Sequence, residues 1–121
     1  MTDSIPRSHE IIINKLRSGL LLKSQKYRHN FPNITPNCQC GAVQCITHIF
    51  FRCDIINIQR TSLFTLIRNN TELSNSLNSF TRIVDKSHFL LYGSPLLTSN
   101  SNIILIKAVA EFLFSISYLF L

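Results

Sequence analysis

Pro36-Asn37-Cys38-Gln39-Cys40-Gly41-Ala42-Val43-Gln44-Cys45-Ile46-Thr47-His48-Ile49-Phe50-Phe51-Arg52-Cys53 carries all four cysteines of a 121-residue chain. Within it Cys38, Cys40, His48 and Cys53 follow the order Cys-x-Cys-x7-His-x4-Cys, compact enough for one turn and one helix to supply four donors. Thiolate sulfur and imidazole nitrogen are zinc's preferred donors, and four of them close a tetrahedron with no position left for substrate. Gly41 follows the second cysteine, where a residue without Cβ lets the backbone turn tightly around an ion. The stretch therefore reads as a structural Zn2+ knuckle over about residues 36–54. A plainer reading stands beside it: cysteines are often small buried apolar residues, and His48 beside Ile49, Phe50 and Phe51 suits a core histidine. The one-residue first gap is also tighter than the usual two to four. Cys45 is the spare thiol, read as packing or as a substitute for Cys38 or Cys40. The N-terminus lacks a basic region followed by an apolar run, so no secretory signal is expected. That places the thiols in a reducing compartment, intracellular and either cytoplasmic or nuclear, where metal binding is a better use of crowded cysteines than disulfides.

Upstream of the knuckle, residues 1–8 read as a flexible N-terminus and Ser8 as the cap of a helix over about 9–18, with Glu10 in its first turn and Gly19 at its stop. Residues 20–37 end in Asn and Pro and read as an irregular lead-in. Lys15, Arg17, Lys23, Lys26 and Arg28 fall within fourteen residues that hold no acid, with Tyr27 and His29 interleaved. The whole chain carries a formal net charge of +6. Such a stretch can neutralise several phosphates and present a ring for stacking, which makes nucleic acid, RNA or DNA with low sequence specificity, the expected partner. Lys15, Arg17, Lys23, Lys26, Tyr27 and Arg28 are its expected contacts. An ordinary solvated helix-and-loop surface is the competing explanation.

Downstream, the pattern suggests a short helix over about 43–52 and a second helical run from Cys53 to about Asn69. There Ile56, Leu63 and Ile67 share a face and Arg60 interrupts the stripe. The Ser/Asn-rich 74–79 reads as a connection, 83–91 as an apolar segment ending near Gly93, and the rest as a helix capped by Ser101 or Asn102 and running to Leu121. Its segment 103–121 raises the alternative of a membrane-associated protein with a hydrophobic span. Twelve Leu, Ile, Phe or Val residues favour insertion by roughly 5 kcal/mol, and Lys107 and Glu111 oppose it by a similar amount. Lys107, Glu111, Ser115 and Tyr118 fall on one stripe, the mark of a core helix with a wet face. The expected fold is thus mainly α. It is a single domain over 9–121, with a basic helix and loop (9–35), a CCHC-type zinc knuckle (36–54) and a C-terminal helical bundle (55–121).

Catalysis finds little support. Two-metal phosphoryl chemistry needs clustered carboxylates, whereas Asp3, Glu10, Asp54, Glu72, Asp85 and Glu111 are scattered, and three glycines form no phosphate-cradling loop. No enzyme and no small-molecule substrate are expected. Three segments in order, Lys15-Leu16-Arg17-Ser18-Gly19, Pro36-Asn37-Cys38-Gln39-Cys40-Gly41 and Thr47-His48-Ile49-Phe50-Phe51-Arg52-Cys53, resemble the zinc-binding C-terminal region of LINE-type non-LTR retrotransposon reverse transcriptase polyproteins. The likeness continues more loosely through Leu90-Leu91-Tyr92-Gly93-Ser94-Pro95. It implies zinc on Cys38, Cys40, His48 and Cys53 and contact with nucleic acid in the service of reverse transcription. Where that family often has His after the Arg-Ser-Gly turn, this chain has Leu20. The acids common between the second Cys and the His are replaced by the uncharged Ala42 to Ile46. Those departures suit a fragment or a degenerate copy.

Overall fold

A computed structural model describes residues 5–120. In chain order the helices are α1 (Arg7–Arg17), α2 (Lys23–Arg28), α3 (Asn57–Arg68), α4 (Thr71–Asn78), α5 (Ile83–Tyr92) and α6 (Ser99–Ser115). A π-helical turn at His48–Arg52, a 3-10 turn at Asp54–Ile56 and another at Ser117–Phe120 complete them. No strand forms among the described residues, only an isolated antiparallel bridge between Asn37 and Val43. The fold is mainly α, with the Cys/His cluster between the N-terminal helices and the bundle.

Everything is organised around α6, which packs against α1, α3, α4 and α5. Its Leu105, Val109, Phe112 and Leu113 are buried, as are Ala108 and Ala110, whose short side chains let neighbouring helices approach. α1 answers with Ile12, Ile13 and Leu16, and α3 with Leu63 and Ile67. Each buried Leu, Ile or Phe contributes about 1.5–3 kcal/mol before conformational entropy is subtracted. After Ser115 the chain turns back, and Ile116, Leu119 and Phe120 also enter the core. Most apolar side chains of 103–120 are therefore covered by the protein itself, with Ile103 and Phe114 exposed, while Glu111, Ser115 and Tyr118 face outward and Lys107 is half-buried. No helix among the described residues is long and apolar enough to cross a membrane. Seventeen residues of α6 reach roughly 26 Å, short of a hydrocarbon core of roughly 30 Å.

Several boundaries differ from the sequence reading. α1 begins at Arg7, so Ser8 lies inside it; Pro6 precedes the helix and its carbonyl accepts from the amides of His9 and Glu10, both at 3.0 Å. Proline's fixed φ prepares that start earlier than a serine cap would. The expected flexible segment 1–8 is thus helical at its end, and residues 1–4 lie outside the described residues, as does Leu121. The lead-in is not wholly irregular, because α2 forms where Gln25 Oε1 reaches back to accept from the amides of Leu21 and Leu22 at 3.1 and 2.9 Å. The expected helix over 43–52 shrinks to the π turn, because the bridge at Val43 holds the first residues extended. The Ser/Asn-rich connection is instead α4: Asn70 Oδ1 accepts from the Leu73 amide, and Leu73 and Leu77, one turn apart, are both buried. α6 starts at Ser99 under a Thr98 cap rather than at Ser101 or Asn102. Glu72 fastens that cap to α4 by accepting from the Thr98 amide and hydroxyl and from the Ser101 hydroxyl. Between α5 and α6, Gly93 has φ +71°, which strains any residue with a side chain, and a Cβ there would lie 2.5 Å from Asn102 Oδ1, so it would also have to push the Asn102 side chain aside.

Candidate metal centre and its basic flank

The four donors reach one point through two local devices. The first is a tight loop in which the Cys38 amide donates to the Ala42 carbonyl at 2.7 Å and the Gly41 amide to the Cys38 carbonyl at 2.9 Å. Gly41 turns it with φ +99°. The second is the π turn. Residues five apart in an α-helix point about 140° away from each other; the wider turn, closed by the Cys53 amide donating to the His48 carbonyl at 2.8 Å, brings His48 and Cys53 to the same side. Phe50, fully buried in the middle of this turn, stacks on Phe112 of α6 with ring centroids 5.9 Å apart and so anchors the site to the bundle.

All four donor atoms of Cys38, Cys40, His48 and Cys53 lie within 4.8 Å of one another. Cys38 Sγ is 3.8 Å from Cys53 Sγ, and Cys40 Sγ is 3.2 Å from His48 Nε2. An ion with tetrahedral bonds of about 2.3 Å to sulfur and about 2.0 Å to nitrogen would hold two sulfurs about 3.8 Å apart and a sulfur and nitrogen about 3.5 Å apart. The cluster has the dimensions of a metal site, and the four residues can hold a metal ion. Cys38, His48 and Cys53 are buried and Cys40 is exposed, which leaves one side open for an ion to arrive. Cys45, whose sulfur lies 3.3 Å from the Thr47 hydroxyl, stands outside the set.

Charge is tuned in the same direction. Burial, reinforced by the Arg60 cation, holds the His48 imidazole below its ordinary pKa, so the ring is neutral and has a lone pair to give. Burial pushes the Cys53 thiol up to about 12. Burial also raises Cys38, but hydrogen bonds from the Cys40 backbone, the Gln44 side chain and the neighbouring thiols outweigh it and leave Cys38 below its ordinary value. A divalent cation would take up the two adjacent buried thiols as thiolates.

Two supporting residues escaped the sequence reading. Gln44 is fully buried; its Oε1 accepts from the Lys23 amide and its Nε2 donates to the Leu119 carbonyl, each at 2.8 Å. One side chain thereby ties the knuckle to α2 and to the C-terminal turn. Arg60, read only as a break in the apolar stripe of α3, donates to the carbonyls of Phe50 and Ile49 at 3.0 and 3.2 Å and clasps the π turn. A lone cation inside an apolar stripe was the available signal for Arg60. For Gln44 no local signal existed, since both its partners are distant in the chain.

The expected nucleic-acid contacts divide. Lys15, Lys23 and Lys26 are brought together: Lys26 is held below its ordinary pKa by burial and then by the charges of Lys15 and Lys23. Lys26 also donates to the Phe120 carbonyl at 2.7 Å. Tyr27 and Arg28 are exposed on α2. Arg17 also has partners within the fold: its Nε donates to the Leu91 carbonyl at 3.0 Å and its guanidinium lies 5.8 Å from the centre of the Tyr92 ring. Set against known proteins, the chain matches no family model, no curated protein and no solved structure.

Proposed function

We propose that this chain is a non-catalytic zinc-binding module that binds nucleic acid, related as a fragment or degenerate copy to the zinc-binding C-terminal region of LINE-type reverse transcriptase polyproteins. The observation that carries the metal half is the convergence of Cys38, Cys40, His48 and Cys53 within 4.8 Å. Three sulfurs and one imidazole favour zinc over harder divalent ions, and a closed set of four protein donors fits a structural site. Arg60 against the turn offsets the net negative charge that three thiolates and a neutral imidazole leave around a divalent ion.

The nucleic-acid half is supported by the clustering of Lys15, Lys23 and Lys26 beside Tyr27 and Arg28, on a segment that the knuckle holds through Gln44. Lys15, Lys23, Lys26 and Arg28 meet phosphates and Tyr27 stacks on a base; Arg17 joins them with its remaining N–H groups while its Nε fixes α1 against the end of α5. The quoted Cys/His order favours a role beside a reverse transcriptase supplied by other parts of a polyprotein.

The decisive experiment is zinc content of reduced protein prepared without a metal-chelating tag, wild type beside His48→Ala. One equivalent in wild type that is lost or weakened in the variant is expected; a folded, reduced wild type without zinc overturns the reading. For the partner, replacing Lys15, Lys23, Lys26 and Arg28 together by Gln should weaken RNA binding and flatten its salt dependence by up to about four phosphate contacts. Binding unaffected by the four changes removes this surface from consideration.

A further inference from the structure

We propose that the groove between α1, the start of α2 and the end of α6 is a nucleobase subsite, in which one unstacked base lies on Phe114 while its flanking phosphate meets Lys15 and Lys26. This deepens the nucleic-acid reading above and rests on it. The groove is floored by Ile11, Leu21, Phe114 and Phe120, with Lys15 and Lys26 beside them. Phe114 is 46% exposed although its neighbours Phe112 and Leu113 are buried, so its ring is presented to solvent rather than used to fill the core. The His9 ring lies against it at 4.6 Å between centroids and holds it in place. Aromatic rings offered beside cations are the common platform for single-stranded nucleic acid, since every base has a π face.

Size and charge select the occupant. The groove measures about 220 Å³, below the roughly 300–1,000 Å³ of pockets that enclose whole drug-sized molecules, so it suits one flat ring better than a long chain. Among the described residues no carboxylate side chain lines it. Lys15 and Lys26 both line it, the charges of Lys15 and of Lys23 outside it act on Lys26, and an anionic phosphate relieves that repulsion; the Lys26 ammonium retains donors beyond the one given to Phe120. Ser8 and Ser117 bring hydroxyls to the rim, where the polar edge of a base would sit.

The test uses the full zinc-loaded chain and two fluorescent strands of equal length, oligothymidylate and its abasic counterpart, with Phe114→Ala, Phe114→Leu and Phe114→Tyr. Helicity by circular dichroism and zinc content identify the folded variants. Phe114→Ala should bind oligothymidylate about tenfold more weakly with an unchanged salt slope, Phe114→Leu should bind as weakly because an aliphatic chain cannot stack, and Phe114→Tyr should match wild type. The abasic strand should bind all four proteins alike. Folded Phe114→Leu that binds oligothymidylate as wild type does overturns the subsite while the basic surface stands. A wild type that prefers oligothymidylate no more than the abasic strand does the same. A wild type that binds neither strand overturns both the subsite and the nucleic-acid reading.

Discussion

The knuckle over residues 36–54 and the bundle of α3 to α6 are held together by different physics. In the bundle, regular apolar spacing does the work: Leu63 with Ile67, Leu73 with Leu77 and the buried run of α6 meet face to face, and many interchangeable contacts share the load. In the knuckle the backbone is almost devoid of repeating structure, and order depends on a few unique groups: four donors, the buried Gln44 and the Arg60 clasp. A region built from many small contacts loses stability gradually when one is removed. A region built from a few specific bonds fails at once. The same 121 residues should therefore respond very differently to insults aimed at either side.

The largest effect should come from removing the metal. Apparent affinities of ~10–16 kcal/mol for small zinc sites exceed the stability of many domains, so chelation should abolish amide protection at Cys38, Gln44 and Cys53 in hydrogen exchange while Val109 and Leu113 stay protected. Equal loss at α6 would merge the two regions into one cooperative unit. Acid should act in the same sense. Thiols bind metal only after losing protons, and a His48 held below its ordinary pKa in the fold is neutral at a cost that appears as pH falls below about 6.5. Zinc affinity should thus decline steadily from neutral pH downward, as a competing chelator would read out.

Next in size, Leu113→Ala in the centre of the bundle should cost about 2–5 kcal/mol in thermal or urea unfolding, yet leave one zinc per chain. Loss of zinc at temperatures where the variant remains helical would show that the bundle shapes the site. Gln44→Leu attacks the joint between the regions: it strands the Lys23 amide and the Leu119 carbonyl in a buried place and should cost about 1–3 kcal/mol, with exchange accelerating in α2 and the C-terminal turn together. Acceleration in only one of them would break the proposed link. Asn70→Ala removes the cap of α4 and should cost about 1 kcal/mol, with no change at the knuckle.

The sequence disclosed the donor set because metal ligation is written in residue types at short spacing, and all four ligand positions converge as that spacing suggests. It disclosed α1, α3 and the start of α6 to within a few residues because burial on one face repeats every turn, whereas α5 was legible only as an apolar segment and the last helix ends at Ser115 instead of running to Leu121. α4 was hidden by its serines and asparagines, whose preference for loops is outweighed once Asn70 caps the helix and Leu73 and Leu77 are buried. The π turn was hidden because a five-residue apolar run has the same composition in any helical form.

What the sequence determined by itself, then, is a four-donor Cys/His set able to hold a metal ion, the helical class and a cationic stretch before that set. Only the tertiary structure decided which distant partners those cations and their neighbours meet. Arg17 is held by Leu91, Lys26 is tied to Phe120, and Gln44 joins Lys23 to Leu119. These partners lie 21 to 94 residues apart. Spacing over one or two turns encodes what a residue can do locally, but whether a donor is free or satisfied depends on which distant carbonyl the folded chain brings beside it.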